Sequence, residues 1–349
     1  MPMMRAAVLT NYPQVAAELG LKPAELLRQV GLNQRILDTP ERLIPGDAMV
    51  RLLELSASAS GCATFGLRLA QLRQFSEFGV IALLLKQQRC IRDALRIAQQ
   101  YMHLLNDAAI LHVDEGAREV LIRVDLLTDT PQPNTQAVEL YMAACVQMFR
   151  AVAGSQWRPQ SMQFRHPAPA SLELHHRLFG CRCEFASPFN AIRLAPGDLD
   201  RINPDAEPAM ANYARHLIDL LPGSSPASAL AELKRHLHIF LPMGRATLAQ
   251  LALARHCSVR QLQRQLEQAG ESFSSLLCAI RRDLVLQYLG NPRLEIGQVA
   301  GLLGFSRHAS FTRWFIQQFG CAPLHWRRQT AGLINPGRPL ESGNDQPLT

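Results

Sequence analysis

The period of the hydrophobic positions changes along the chain, and each period predicts a different element. Up to about Ser60, short stretches of helical spacing are interrupted by Gly20, Gly31, Pro40 and the Pro45-Gly46 pair, which predicts a run of small helices. From Ile91 to Leu105 the apolar residues Ile91, Ala94, Leu95, Ala98, Met102 and Leu105 recur at spacings of three and four, the pattern of a helix that buries one face. Over Ala109 to Leu126 the period falls to two. Val120, Ile122, Val124 and Leu126 alternate with other residues, and Asp114-Glu115-Gly116 supplies turn chemistry, so a β-hairpin is expected. A second long helix is expected between Thr135 and Val152, with short strands near Met162 to Arg165 and Asn190 to Leu194. The N-terminal part therefore reads as α+β.

Leu221-Pro222-Gly223-Ser224-Ser225-Pro226 breaks this pattern and marks a domain boundary. Beyond it the spacing is helical throughout, and a repeat becomes visible. Thr247-Leu248-Ala249-Gln250-Leu251-Ala252 parallels Glu295-Ile296-Gly297-Gln298-Val299-Ala300; further on, Ser258 parallels Ser306, Leu262 parallels Phe311, Arg264 parallels Arg313 and Leu266 parallels Phe315. Each copy reads as a short helix, a tight turn and a second helix. Small residues at Ala252 and Ala300 let the two helices cross closely, and serine at the turn is suited to cap the second helix. Between the copies, Ser272 opens an apolar stripe, Phe273, Leu276, Leu277, Ile280, Leu284 and Tyr288, which predicts a connecting helix that sets the spacing of the two units. The fold class expected is an α+β N-terminal sensing domain followed by an all-α C-terminal domain with two helix-turn-helix units. Residues 1–222 form the sensing and dimerisation domain, 223–228 the linker, 229–330 the paired units, and 331–349 a disordered tail.

Charge sharpens the contrast. Residues 224–330 hold thirteen Lys and Arg against five Asp and Glu, a balance of +8, which leaves −1 for the rest of a chain whose net charge is +7. A basic segment joined to a near-neutral one is suited to a polyanion on one side only. The residues left facing outward on the second helices are Arg260, Gln261, Gln263 and Arg264 in the first copy, and Arg307, His308, Ser310, Thr312 and Arg313 in the second. Arginine can fork onto guanine and glutamine onto adenine in the major groove of DNA. Arg281 and Arg282 on the connecting helix are candidate backbone contacts or simply exposed arginines.

Composition excludes other classes. With 48% apolar and 19% charged residues the chain can build cores and is not largely disordered. No apolar run approaches the ~20 residues of a membrane span, and the start, Met1 to Tyr12, lacks an export-signal pattern, so the expected location is the cytoplasm. Eight cysteines without small-domain spacing read as reduced thiols, with Cys90 and Cys145 inside apolar helical patterns. His175, His176, Cys181 and Cys183 come nearest to a metal pattern but lack a completing pair; a redox role for Cys181 and Cys183 beside Arg182 stays open. A glycine-rich phosphate loop, a His-Glu metal motif and a Gly-x-Ser-x-Gly elbow are all missing, which argues against an enzyme. A nonspecific architectural DNA binder would leave more than 220 N-terminal residues without a task.

With its two helix-turn-helix units and connecting helix, the segment 226–330 resembles the AraC/XylS family of bacterial transcription regulators. The likeness is carried by Ile296 through Gly304-Phe305-Ser306, then Phe311, Arg313, Phe315, Gly320-Cys321-Ala322-Pro323 and Trp326-Arg327. It implies base contacts from Arg260, Gln263 and Arg264 in the first unit and from His308, Ala309, Ser310, Thr312 and Arg313 in the second. Trp326 stands where the family has tyrosine, and Ala309 offers only a methyl. The N-terminal region resembles the "arabinose-binding" type of sensing domain through Phe75 to Leu85, Ala94-Leu95, Phe164-Arg165-His166-Pro167, Leu178-Phe179-Gly180-Cys181, Phe185, Asn190 and Leu194. Together these imply a homodimeric activator that binds double-stranded promoter DNA, meets RNA polymerase, and answers to a small-molecule effector without a bound cofactor or metal.

Overall fold

The computed structural model describes residues 2–128, 132–220, 229–255, 257–291 and 294–334. The expected linker, 223–228, lies outside these residues. At the N-terminus β1 (Met3–Arg5) pairs antiparallel with β2 (Leu43–Pro45). Between them lie α1 (Tyr12–Glu18) and α2 (Pro23–Gln29), each with a proline in its first turn, where the missing N–H costs no helical hydrogen bond. Then come α3 (Gly46–Ser60), α4 (Phe65–Leu72), α5 (Val80–Lys86) and α6 (Ile91–Leu105). The hairpin follows as β3 (Ala109–Glu115) and β4 (Val120–Leu126), with α7 (Thr135–Ala153), β5 (Ser161–Gln163), α8 (Glu173–Phe179), β6 (Arg182–Glu184), β7 (Ala191–Leu194) and α9 (Pro208–Asp219) after it. The sheet runs β3-β4-β7-β5-β6, antiparallel except for the parallel pair β5/β6. The expected helices, the hairpin and the strands at β5 and β7 are present. Strands β1, β2 and β6 are additional, each of three residues and too short to leave a period in the sequence.

Helix α7 is the axis of this part, with buried residues around its whole circumference from Gln136 to Ala153. Its approach to α4 is set by Gly66, where a Cβ would lie 2.0 Å from the carbonyl oxygen of Gln136. The Gln136 side chain accepts from the Gly66 N–H at 2.9 Å and donates to the Ala63 carbonyl at 3.0 Å, while the Gln136 N–H donates to Glu54 on α3 at 2.7 Å. Burial pushes the Glu54 carboxyl up to about 7 despite that bond.

The C-terminal part consists of α10 (Ala229–Phe240), α11 (Leu248–Ala254), α12 (Val259–Gln268), α13 (Phe273–Leu289), α14 (Ile296–Leu302), α15 (His308–Phe319) and α16 (Pro323–Ile334). No strand occurs among its described residues. Helix α16 extends to Ile334, four residues beyond the boundary that the sequence places at 330; residues 335–349 lie outside the described set. The core of this part is closed from the other side of the chain: Ile110 of β3 is buried in it, and Leu127 packs against it.

Candidate nucleic-acid interface

In the first unit, Thr247 and Ser258 cap α11 and α12, their side chains accepting from the N–H groups of Gln250 and Gln261 at 3.2 Å. The turn closes through the Cys257 N–H on the Ala252 carbonyl at 2.9 Å. Leu251, Ala252, Leu262 and Leu266 are buried, which leaves Arg260, Gln261, Gln263 and Arg264 together on the exposed face of α12. Ser258→Ala removes the cap and is expected to lower stability by about 1 kcal/mol, seen as a reduced urea midpoint at unchanged slope.

The second unit turns on Gly304, whose φ of +70° is favoured by glycine, and the Phe305 N–H returns to the Ala300 carbonyl at 3.0 Å. Phe311 and Phe315 are fully buried, and Phe315 stacks on Phe319 with ring centres 4.5 Å apart. Arg307, His308, Ala309 and Arg313 are exposed on α15 and Ser310 is half-buried. Thr312 departs from expectation: its hydroxyl is buried without a hydrogen-bond partner, because residue 312 follows the core position Phe311 and turns toward the helix flank. Ser306 also departs, since the residue at the start of α15 is Arg307 and no side chain caps that helix.

Arg281 is not a free arginine awaiting a phosphate. Its Nε donates to the Leu303 carbonyl at 2.9 Å, its Nη2 to the Gly304 carbonyl at 3.4 Å, and its guanidinium lies 4.2 Å from the centre of the Phe305 ring. It thereby fixes the turn of the second unit to α13. Arg327 of α16 donates to the carbonyls of Leu289, at the end of α13, at 3.1 Å and of Leu294, just before α14, at 2.8 Å. Arg282 is exposed. Helix α13, opened by Ser272 and Ser275 bonding reciprocally, spaces the two units with a rod of about 25 Å.

Two family models match this chain. Residues 251–329 match a helix-turn-helix domain, and residues 20–203, more than half of the chain, match the N-terminal arabinose-binding domain of AraC transcription regulators. The chain belongs to the AraC family of transcription regulators. Among relatives of this regulator, the HTH-type transcriptional regulator VirS of Mycobacterium tuberculosis is 27% identical over 332 residues, covering 93% of this chain and 96% of VirS. The ornithine utilization regulator of Pseudomonas aeruginosa is 25% identical over 316 residues, covering 90% and 93%. The crystal structure of the transcriptional regulator CdpR from Pseudomonas aeruginosa aligns over 88% of this chain and 96% of its own with 19% identity and a TM-score of 0.42.

The DNA-binding part of the regulator rests against the outer face of the β3/β4 hairpin. Asp125 of β4 accepts two hydrogen bonds from Arg165, at 3.0 and 3.1 Å, and lies 3.5 Å from His238 of α10. Arg165 in turn lies over the ring of Tyr288, and its carbonyl accepts from Asn291 at 3.3 Å. Burial by itself would raise the Asp125 carboxyl, but Arg165, His238 and the Leu126 N–H together hold it well below the usual carboxylate range. Arg235 pairs with Asp107, and Arg245 lies 3.8 Å from Asp114. Sequence reasoning missed this node. Its signal was a pair of charged residues, Arg123 and Asp125, at the outward positions of the β4 alternation.

His112 packs edge-on against Phe240 across the same boundary, with ring centres 5.3 Å apart. Burial, aided by the charge of His236, lowers its pKa to about 4. The fold therefore holds the neutral ring, and stability falls as pH drops from the unfolded value near 6.5 through about 4. Melting curves from pH 7 to pH 4 are expected to show this loss, and His112→Phe should reduce it.

The histidine and cysteine residues of the candidate metal pattern are not gathered into one site. His175 is buried and hydrogen-bonded to Glu139 at 2.7 Å, whereas the neighbouring His176 is exposed on the other side of α8. Cys181 and Cys183 are half-buried and free, and Cys90 and Cys145 are buried, with burial pushing the Cys145 thiol up to about 12. Among the described residues no group of three or more metal-ligating side chains converges, and no helix is long and apolar enough to cross a membrane.

Proposed function

We propose that this regulator is a sequence-specific activator whose two helix-turn-helix units enter successive major grooves on one face of promoter DNA. Arg260, Gln261, Gln263 and Arg264 read bases in one groove, and Arg307, His308, Ala309, Ser310 and Arg313 in the other. The observation that carries this reading is the division of each second helix: Leu262 and Leu266, like Phe311 and Phe315, are buried, while the basic and amide residues between them stand exposed. The N-terminal domain binds a small effector, and the bound state alters DNA affinity or contact with RNA polymerase because the effector favours one arrangement of the two parts. The active form is a homodimer.

Chromatin immunoprecipitation with sequencing tests the reading, using the intact protein and an Arg264→Ala/Arg313→Ala variant. Discrete sites with a two-part motif about one helical turn across, lost in the variant, are the expected result. Diffuse enrichment that the variant shares would reject it.

A further inference from the structure

One cavity in the N-terminal part combines an apolar wall with buried positive charge. It has a volume of about 90 Å³ and lies between β1, α6, α7 and the inner face of the hairpin. Four methionines, Met4, Met49, Met102 and Met148, line it, and Arg5 and Arg73 stand at one end. The Arg73 side chain is 9% exposed. It forms an ion pair with Glu77, Nε to Oε2 at 3.8 Å, and lies 4.3 Å from the centre of the Phe78 ring, but its buried Nε–H has no hydrogen-bond acceptor among the described residues. Arg5 donates to the Phe78 carbonyl at 3.3 Å and pairs with Glu41, but its Nε is also buried and unsatisfied. Gly79, at a φ of +67°, admits the Arg5 guanidinium, which a Cβ there would meet at 3.3 Å.

Unmet donors of a buried guanidinium are costly. The apolar wall offers these N–H groups no acceptor, and with two arginines at this end an anionic acceptor bonds them more strongly than a neutral one. Glu77 balances the charge of Arg73 without satisfying its N–H: one Glu77 oxygen accepts from Asn11 at 3.3 Å, and the other, 3.8 Å from Nε, makes no hydrogen bond. A planar carboxylate matches the fork of Arg73. The volume is below the ~150 Å³ that receives a benzene molecule, and the methionines can repack around a somewhat larger body. We propose that this cavity is the effector site of the regulator and that its ligand is a small apolar monocarboxylate, held by Arg73 with Arg5 beside it and its hydrocarbon body among the methionines.

The position of the cavity explains how its filling reaches the DNA-binding part. Leu111 of β3 and Leu126 of β4 line the cavity. Their neighbours on the opposite face, Ile110, His112, Asp125 and Leu127, touch the C-terminal part. Strand alternation thus places ligand contacts and interdomain contacts on the two sides of one hairpin.

The proposal rests on the reading of the N-terminal part as the effector domain, and its test separates the two. The full-length protein is titrated with straight-chain and branched monocarboxylates of four to six carbons and with benzoate, and with the matching primary amides and amines, by thermal shift and calorimetry. Specific DNA binding is measured on the same samples. Carboxylates are expected to raise the melting temperature by several degrees, and amides and amines to leave it unchanged. Arg73→Gln should weaken carboxylate binding at least tenfold, and so should Ala144→Leu, which fills the cavity without touching the arginines. Amides that bind as well as carboxylates, or carboxylate binding that survives both substitutions, would overturn the assignment. Unchanged melting with every compound while specific DNA binding persists would overturn the ligand class and leave the regulator reading standing; absence of specific DNA binding would count against that reading instead.

Discussion

Asp125→Asn is expected to destabilise the protein by about 3–5 kcal/mol, because it leaves the Arg165 guanidinium buried without its counter-charge. The pair is bidentate, its side chains are 14% and 8% exposed, and it sits where His238, Tyr288 and Asn291 of the C-terminal part meet β4. Equilibrium urea unfolding measures the loss. A double variant, Asp125→Leu/Arg165→Met, removes both charges and should recover most of it, since an apolar pair of similar volume often matches a buried ion pair. A double variant as unstable as Asp125→Asn would show that the site needs the charges themselves. The pH dependence has a definite sign. The folded carboxyl is held below its usual range, so its contribution is fully present above the unfolded value near 3.9 and is lost as pH falls through the lower folded value. Asp125→Asn should therefore flatten the acid limb of the stability curve.

Arg264→Ala and Arg313→Ala are each expected to weaken binding to the preferred DNA site by about 1–3 kcal/mol, roughly five- to 150-fold, and to relax preference at one base position. Both side chains are exposed on second helices whose inner residues are buried, so the loss should come without a change in melting temperature. Binding measured on the preferred site and on single-base variants decides the role of each. An equal loss on every sequence, with a shallower salt dependence, would mark a phosphate contact instead. Arg281→Ala gives the contrast: its bonds to Leu303 and Gly304 hold the second turn, so its replacement should act through stability.

What the sequence determined by itself was whatever repeats at short range. The period of Ile91 to Leu105, the alternation of Val120 to Leu126, the paired copies around Ala252 and Ala300, and the helix opened by Ser272 each carry their own element, because local spacing decides which face is buried. The outward-facing set on α12 followed from the same logic, since Leu262 and Leu266 fix the inner face and Arg260, Gln261, Gln263 and Arg264 take what remains. On α15 the logic weakened at the edge of the stripe, where Thr312 turned its hydroxyl inward. Only the tertiary structure decided the rest. Arg281 and Arg327 look like surface arginines in sequence, yet their partners are backbone carbonyls 22 to 38 positions away. Asp125, Arg165 and His238 come from three separate elements, and Arg5 and Arg73 meet at one cavity from opposite ends of the N-terminal helices. Such charges are stabilised by neighbours that chain folding brings near, and no local period records which neighbours those are.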